Sequence, residues 1–312
     1  MAGSFFSNLS TVAFQVGVLY LIASVGFAAD KTKIFVQADG KRLVDLLFNL
    51  ILPITIINTF LKMERTPEHV KGLAFALLLA FLTHVVAIGV ASLSFRKSDL
   101  MKRGIYHYAI TFSNAAFLAL PLAESVVGRE GVFYSSCYVA VFNVFAFTYG
   151  IYEVSGHKAK INVKNLILNP GSMSVIIGIP LFLLQIDPPE IISNAMERVA
   201  ACNSPMAMIV FGTFFANCSF KNIFAKKEVY LVSFLRLILI PVIMLSVFRL
   251  CGMNSEMRTA LTISAAAPVA TNTAMYAAKY DNDTALPSEI VGQTSVFSII
   301  TMPVIVAIAL MV

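Results

Sequence analysis

Apolar residues run through this chain in ten long blocks separated by short polar or charged stretches. A helix needs roughly 17–25 such residues to cross about 30 Å of hydrocarbon. The pattern therefore predicts ten membrane helices, near residues 9–28, 43–61, 72–95, 104–126, 131–153, 172–187, 194–219, 229–251, 258–279 and 288–311. The sixth block is the shortest, and Glu197, Arg198 and Asn203 crowd the start of the seventh, which reads as an interfacial turn leading to Pro205. Two blocks depart from uniform apolarity. Ser264 to Tyr280, SAAAPVATNTAMYAAKY, carries Pro268, Thr271, Asn272 and Thr273, and Thr111 to Leu122, TFSNAAFLALPL, carries Ser113, Asn114 and Pro121. A proline inside a membrane helix frees backbone groups that hydrocarbon cannot satisfy, so such breaks survive only where protein or a water-filled cavity covers them. Two broken helices at corresponding places in two halves of a chain point to a transporter's binding site.

Composition agrees with a membrane setting: 58% of residues are hydrophobic, 13% are charged, and the mean hydropathy is +0.81. A net charge of +6 would suggest nucleic acid in a soluble domain, but here the basic residues cluster in short connections, and no nucleic-acid partner is expected. Connections after the odd-numbered helices hold fifteen Lys and Arg, from Lys31 and Lys33 to Lys158, Lys160, Lys164, Lys221 and Lys279. The opposite set, which includes Lys62, Arg129 and Arg258, holds seven. The richer set is assigned to the cytoplasm, which places both termini outside a plasma or inner membrane. Met1 to Ser10 has neither a basic start nor a cleavage site after it, so the first helix reads as retained. Cys137, Cys202, Cys218 and Cys251 lie in or beside apolar blocks without CxxC or Cys/His spacing and read as small hydrophobes; no disulfide, metal or cofactor is expected.

The longest interruption, Ser155 to Gly171, divides the chain into 1–155 and 156–312, five helices each. An odd number forces the two sets into opposite orientations, so inverted repeats are expected. Asn49 and Pro53 in helix two echo Asn203 and Pro205 in helix seven, and the broken helices fall fourth and ninth. Proline suits the first turn of a helix, so Pro121 and Pro268 are expected to open the second half of each broken helix and aim free amides at the bilayer middle. A positive helix end suits an anion. Ser113, Asn114, Thr271 and Asn272 would add donors for a carboxylate. The plainer reading of these residues is interhelical glue.

The strings SNAAFLALPLAESVVG, NPGSMSVIIGIPLFL, CNSPMAMIVFGTFFA and APVATNTAMYAAKYDND…GQTSVFSIITMPV resemble the auxin efflux carrier family over nearly the whole chain. The resemblance implies an all-α membrane protein of ten transmembrane helices in two inverted five-helix repeats, with helices four and nine broken and crossing, an architecture shared with sodium–bile acid symporters. It makes Asn114 and Pro121 the crossover of helix four, and Pro268 and Asn272 that of helix nine. NPGSM is similar to the NPNTY of plant members, with Gly171 in place of their second Asn. The long cytoplasmic insertion of the plant carriers is missing. The bile acid symporters hold sodium partly through an acidic residue in helix nine, whereas SAAAPVATNTAM has no carboxylate.

Ionisable residues within apolar blocks are functional candidates by default. Arg236 in SFLRLILIP either contacts an anion or locks helices together. His84 and His107 are candidate proton relays or packing residues, and Asp45, Glu124 and Glu289 read as interfacial. The expected function is secondary transport of small organic anions, mono- or dicarboxylates with auxin-like acids among them, by alternating access across a lipid bilayer. An anion channel and a sodium-coupled symporter are the alternatives. An enzyme is disfavoured because no HExxH, Ser/His dyad or paired intramembrane aspartates appear. A homodimer is compatible with the chain.

Overall fold

Among the residues that the computed structural model describes, 2–34, 37–159, 168–218 and 222–312, every extended element is a helix. Lys160, Lys164 and Lys221 of the charge count lie outside the described residues. Among these described residues, seven helices are long and apolar enough to cross a membrane: Gly3–Lys31, Arg42–Lys62, Pro67–Leu93, Arg129–Val154, Glu190–Ala216, Lys227–Leu250 and Ala285–Ala309. Ala115–Val127 and Pro170–Leu184 are apolar but shorter. The chain is a helical membrane protein.

Polar residues at block edges start the helices. Thr66 accepts from the His69 amide with Pro67 in the first turn, Asp99 from that of Lys102, Asn254 from that of Met257, and Asn169 from that of Gly171. Each satisfies a first-turn donor that the helix itself cannot. Within the helices, three π-helical turns end two residues before a proline: Leu47–Ile51 before Pro53, Ala115–Ala119 before Pro121, and Leu235–Leu239 before Pro241. A proline removes one amide and presses on the carbonyl four residues back, and a widened turn absorbs both without ending the helix.

Packing follows from small residues at the closest approaches. The N-terminal helix Ala2–Lys31 lies along Asn203–Ala216, where Gly26 sits against the Ile209 carbonyl and Gly212 against that of Ala23, leaving no room for a Cβ at either position. One apolar core gathers Phe60, Phe112, Phe133, Phe142 and Phe182, and a second gathers Val12, Val16, Met208, Phe211 and Met302. The segment Leu118–Leu120 contributes to both, as does the pair Ala267 and Val269, so the two interruptions lie between the cores. Large apolar side chains cover the outside: Phe14 is 68% exposed and Ile300 72%, as lipid-facing positions should be. Glu289, read as interfacial, is instead buried and paired with Lys226 at 2.7 Å, because a side chain from a neighbouring segment reaches it.

Candidate functional site

Two helices stop and restart in the middle of the molecule. The first runs from Leu100 to Thr111, opens into an extended stretch over Phe112, Ser113 and Asn114, and resumes as Ala115–Val127. The second runs from Ser255 to Ala266, opens over residues 267–271, and resumes as Asn272–Lys279. The open stretches cross as a short antiparallel pair. Asn114 donates its amide to Pro268 O at 2.7 Å, Ala270 donates to Phe112 O at 3.0 Å, and Val269 donates to Thr294 Oγ1 at 3.3 Å. Each break thus supplies the hydrogen bonds that the other lost, as buried backbone requires.

Polar side chains then restart the helices. Asn114, at φ −76° and ψ 61°, accepts from the Phe117 amide at 3.3 Å and so caps the half that follows. This corrects the expectation that Pro121 opens that half: the helix resumes at Ala115, and Pro121 lies beyond the π turn Ala115–Ala119. Pro268 is likewise not a first-turn residue. It lies in the open stretch, with Thr271 as the residue before the resumed helix and Asn272 as its first. In both breaks the proline is displaced from the helix start, and Asn or Thr stands there instead.

A cavity of about 220 Å³ lies against this crossing. Ser113, Asn114, Thr271 and Asn272 line it, together with Asp45, Asn49, Asn143, Asn169, Gly171 and Tyr276, among apolar walls such as Phe48, Phe117 and Phe147. Ser113 Oγ and Asn114 Nδ2 are buried without a hydrogen-bond partner. Asn272 Oδ1 accepts from Tyr108 OH at 3.0 Å, which leaves its amide nitrogen as the group still able to donate. Both resumed halves present their N-terminal ends here, where first-turn amides lack helical acceptors and the helix dipole is positive. Gly171 admits a close neighbour: a Cβ there would stand 2.6 Å from Asn143 Nδ2.

Pro121, Pro268, His107 and Arg236 do not line the cavity. His107 Nδ1 lies 2.9 Å from Glu153 Oε2, and Glu153 Oε1 lies 3.3 Å from His157 Nε2, a separate cluster whose His107 stands about one turn before the end of the Leu100–Thr111 helix. His84 sits in an aromatic cage, its ring parallel to Phe145 and its Nδ1 bonded to Ala80 O at 2.8 Å. Arg236 is fully buried, and its bonds go to backbone carbonyls of both interrupted helices. Asn143 and Glu153 were not singled out from the sequence, and Asn169 entered only as the first residue of NPGSM. Asn143 carried a signal, a lone amide in the apolar block 131–153, but nothing local pairs it with Gly171.

Crossed, interrupted helices around a small polar cavity in a helical membrane protein are the features of a solute carrier. The chain belongs to the auxin efflux carrier family: the family model, described as membrane transport protein, matches residues 11–165 and 157–306. Members of this family are transporters rather than enzymes. No curated protein gives a significant match to the chain.

Proposed function

We propose that this protein is a secondary transporter of small organic anions, mono- or dicarboxylates, bound where the two broken helices cross. The observation that carries the reading is the pair of unpartnered buried donors, Ser113 Oγ and Asn114 Nδ2, on residues that line a cavity of about 220 Å³ beside two positive helix ends. An unpaired buried polar group costs about 1–3 kcal/mol, so a bound carboxylate that accepts from both would recover that loss. The volume is below the roughly 300–1,000 Å³ of drug-sized pockets and suits a small acid.

Ten crossings in two inverted five-helix repeats, 1–155 and 156–312, complete the proposed architecture, with both termini extracytoplasmic. In that orientation the cavity, lined by Asp45, Asn143 and Asn169 near basic-rich connections, opens toward the cytoplasm. A reporter active only in the cytoplasm would work after Arg103 or Lys227 and stay silent after Val312. Alternating access then carries the anion past the crossing. Movement is independent of sodium on this reading, because among the described residues the Ala267–Thr271 stretch has no carboxylate and the cavity lining has only the exposed Asp45. His107 with Glu153, or the solute's own carboxyl group, would carry a coupled proton.

The test is counterflow in liposomes. Preloading with unlabelled carboxylate should accelerate uptake of the labelled acid in choline buffer as well as in sodium buffer. Uptake that never saturates and shows no counterflow would identify a channel, and uptake that requires sodium would favour a symporter.

A further inference from the structure

The largest fully buried side chain among the described residues is one that the proposed transport step does not touch. Arg236 stands on the π turn Leu235–Leu239, which Pro241 imposes on an otherwise regular helix. Its Nη2 donates to Ala265 O at 2.6 Å, its Nε to Ala267 O at 3.2 Å, and its Nη1 to Ile110 O at 3.2 Å and Thr111 O at 3.4 Å. These four acceptors come from the two places where a helix runs into the crossing and stops, the ends of Leu100–Thr111 and Ser255–Ala266. The last carbonyls of a helix have no intrahelical donor, and each such end carries roughly half a negative charge. Two ends brought together amount to about one negative charge, which one guanidinium offsets.

The crossing therefore has two electrostatic faces. The ends that stop make a carbonyl cage, and Arg236 fills it. The ends that restart face the cavity. A carbonyl cage of this kind would suit a dissolved monovalent cation if it were empty, since backbone oxygens alone can hold one.

We propose that Arg236 is a resident cation. By covalent attachment it occupies the place that a free metal ion would otherwise take, ties both breaks together at their incoming ends, and leaves the cavity able to bind an anion with no co-bound ion. It is a positioning residue: none of its atoms lines the cavity. The consequence for anion binding rests on the transport reading above. The cage itself can be tested without any solute.

The experiment uses the full chain in lipid nanodiscs, free of organic acids, in choline chloride. Thermal unfolding is followed for the parent, Arg236→Lys and Arg236→Ala as choline is replaced by sodium, potassium or millimolar guanidinium. The parent should unfold at the same temperature in all four, because its cage is already filled. Arg236→Lys should unfold between the parent and Arg236→Ala, since it keeps the charge but not the fork of donors. Arg236→Ala should show a saturable upward shift with guanidinium and a smaller one with sodium, as a ligand that binds only the folded state produces. An Arg236→Lys no more stable than Arg236→Ala, or an Arg236→Ala that responds to guanidinium no more than the parent does, would overturn the proposal. Should Arg236→Ala fail to fold, recovery of Arg236→Lys in folded form supports the resident charge, and loss of both variants contradicts it. A parent that binds no carboxylate while this cation pattern holds would sink the anion reading and leave the cage standing.

Discussion

The two faces of the crossing are made by the same interruptions, and they end up in opposite states. On the incoming face, four carbonyls meet a buried guanidinium, so the orphaned acceptors and the negative helix ends are matched from within the protein. On the outgoing face, Asn114 spends its oxygen on the Phe117 amide and keeps its nitrogen unpaired, beside an unpaired Ser113 hydroxyl and the Asn272 amide. Buried polar groups in a folded protein are paired with few exceptions. Unpaired polar atoms occur elsewhere too, Thr111 Oγ1 among them, but those of Ser113 and Asn114 belong to residues that line the cavity, and on the proposed reading they and the positive helix ends would receive an anion.

The comparison breaks most severely if charge of the wrong sign enters the outgoing face. Asn114→Asp keeps an oxygen for the Phe117 amide but places a carboxylate against the proposed anion. Such juxtaposition costs several kcal/mol, so carboxylate binding should fall by at least about 100-fold with little change in unfolding temperature. Truncation is milder. Asn272→Ala removes a donor to a charged ligand, a loss of about 1.5–3 kcal/mol, or roughly 10- to 150-fold in affinity measured by equilibrium binding. Tyr108→Phe removes the hydroxyl that orients Asn272, and a neutral hydrogen bond of about 0.5–1.5 kcal/mol predicts a weakening of roughly two- to tenfold. The smallest effect runs the other way. Asp45 lines the cavity but is exposed, and an exposed charge contributes at most about 1 kcal/mol, so Asp45→Asn should tighten carboxylate binding by no more than about fivefold. A tightening that disappears at high salt would confirm its electrostatic origin.

Much of this was legible along the chain because hydrocarbon tolerates so few departures from apolarity. Ser113, Asn114, Thr271 and Asn272 stood out in their blocks, and the structure brings all four to one cavity. The prolines misled about where each half restarts. Pro121 and Pro268 mark the neighbourhood of a break, but Pro121 is absorbed by a π turn, while Asn114, able to cap, sets the restart. Asn143 could not be assigned to the cavity from the sequence, because it joins it through tertiary packing against Gly171, whereas Asn169 is tied to Gly171 only as the local cap of the helix that begins at Pro170. Arg236 was visible as a buried charge, yet its partners are carbonyls that exist as free acceptors only once both helices have been interrupted. A sequence displays side chains, and the partners here are backbone.

The measurement that bears most directly on the outgoing face is equilibrium binding of a labelled small monocarboxylate to purified protein in sodium-free choline buffer. Saturable binding by the parent, unchanged when sodium replaces choline and lost in Asn114→Asp, is the predicted result. Binding that appears only with sodium, or that survives undiminished in a folded Asn114→Asp protein, would contradict an anion held at the crossing.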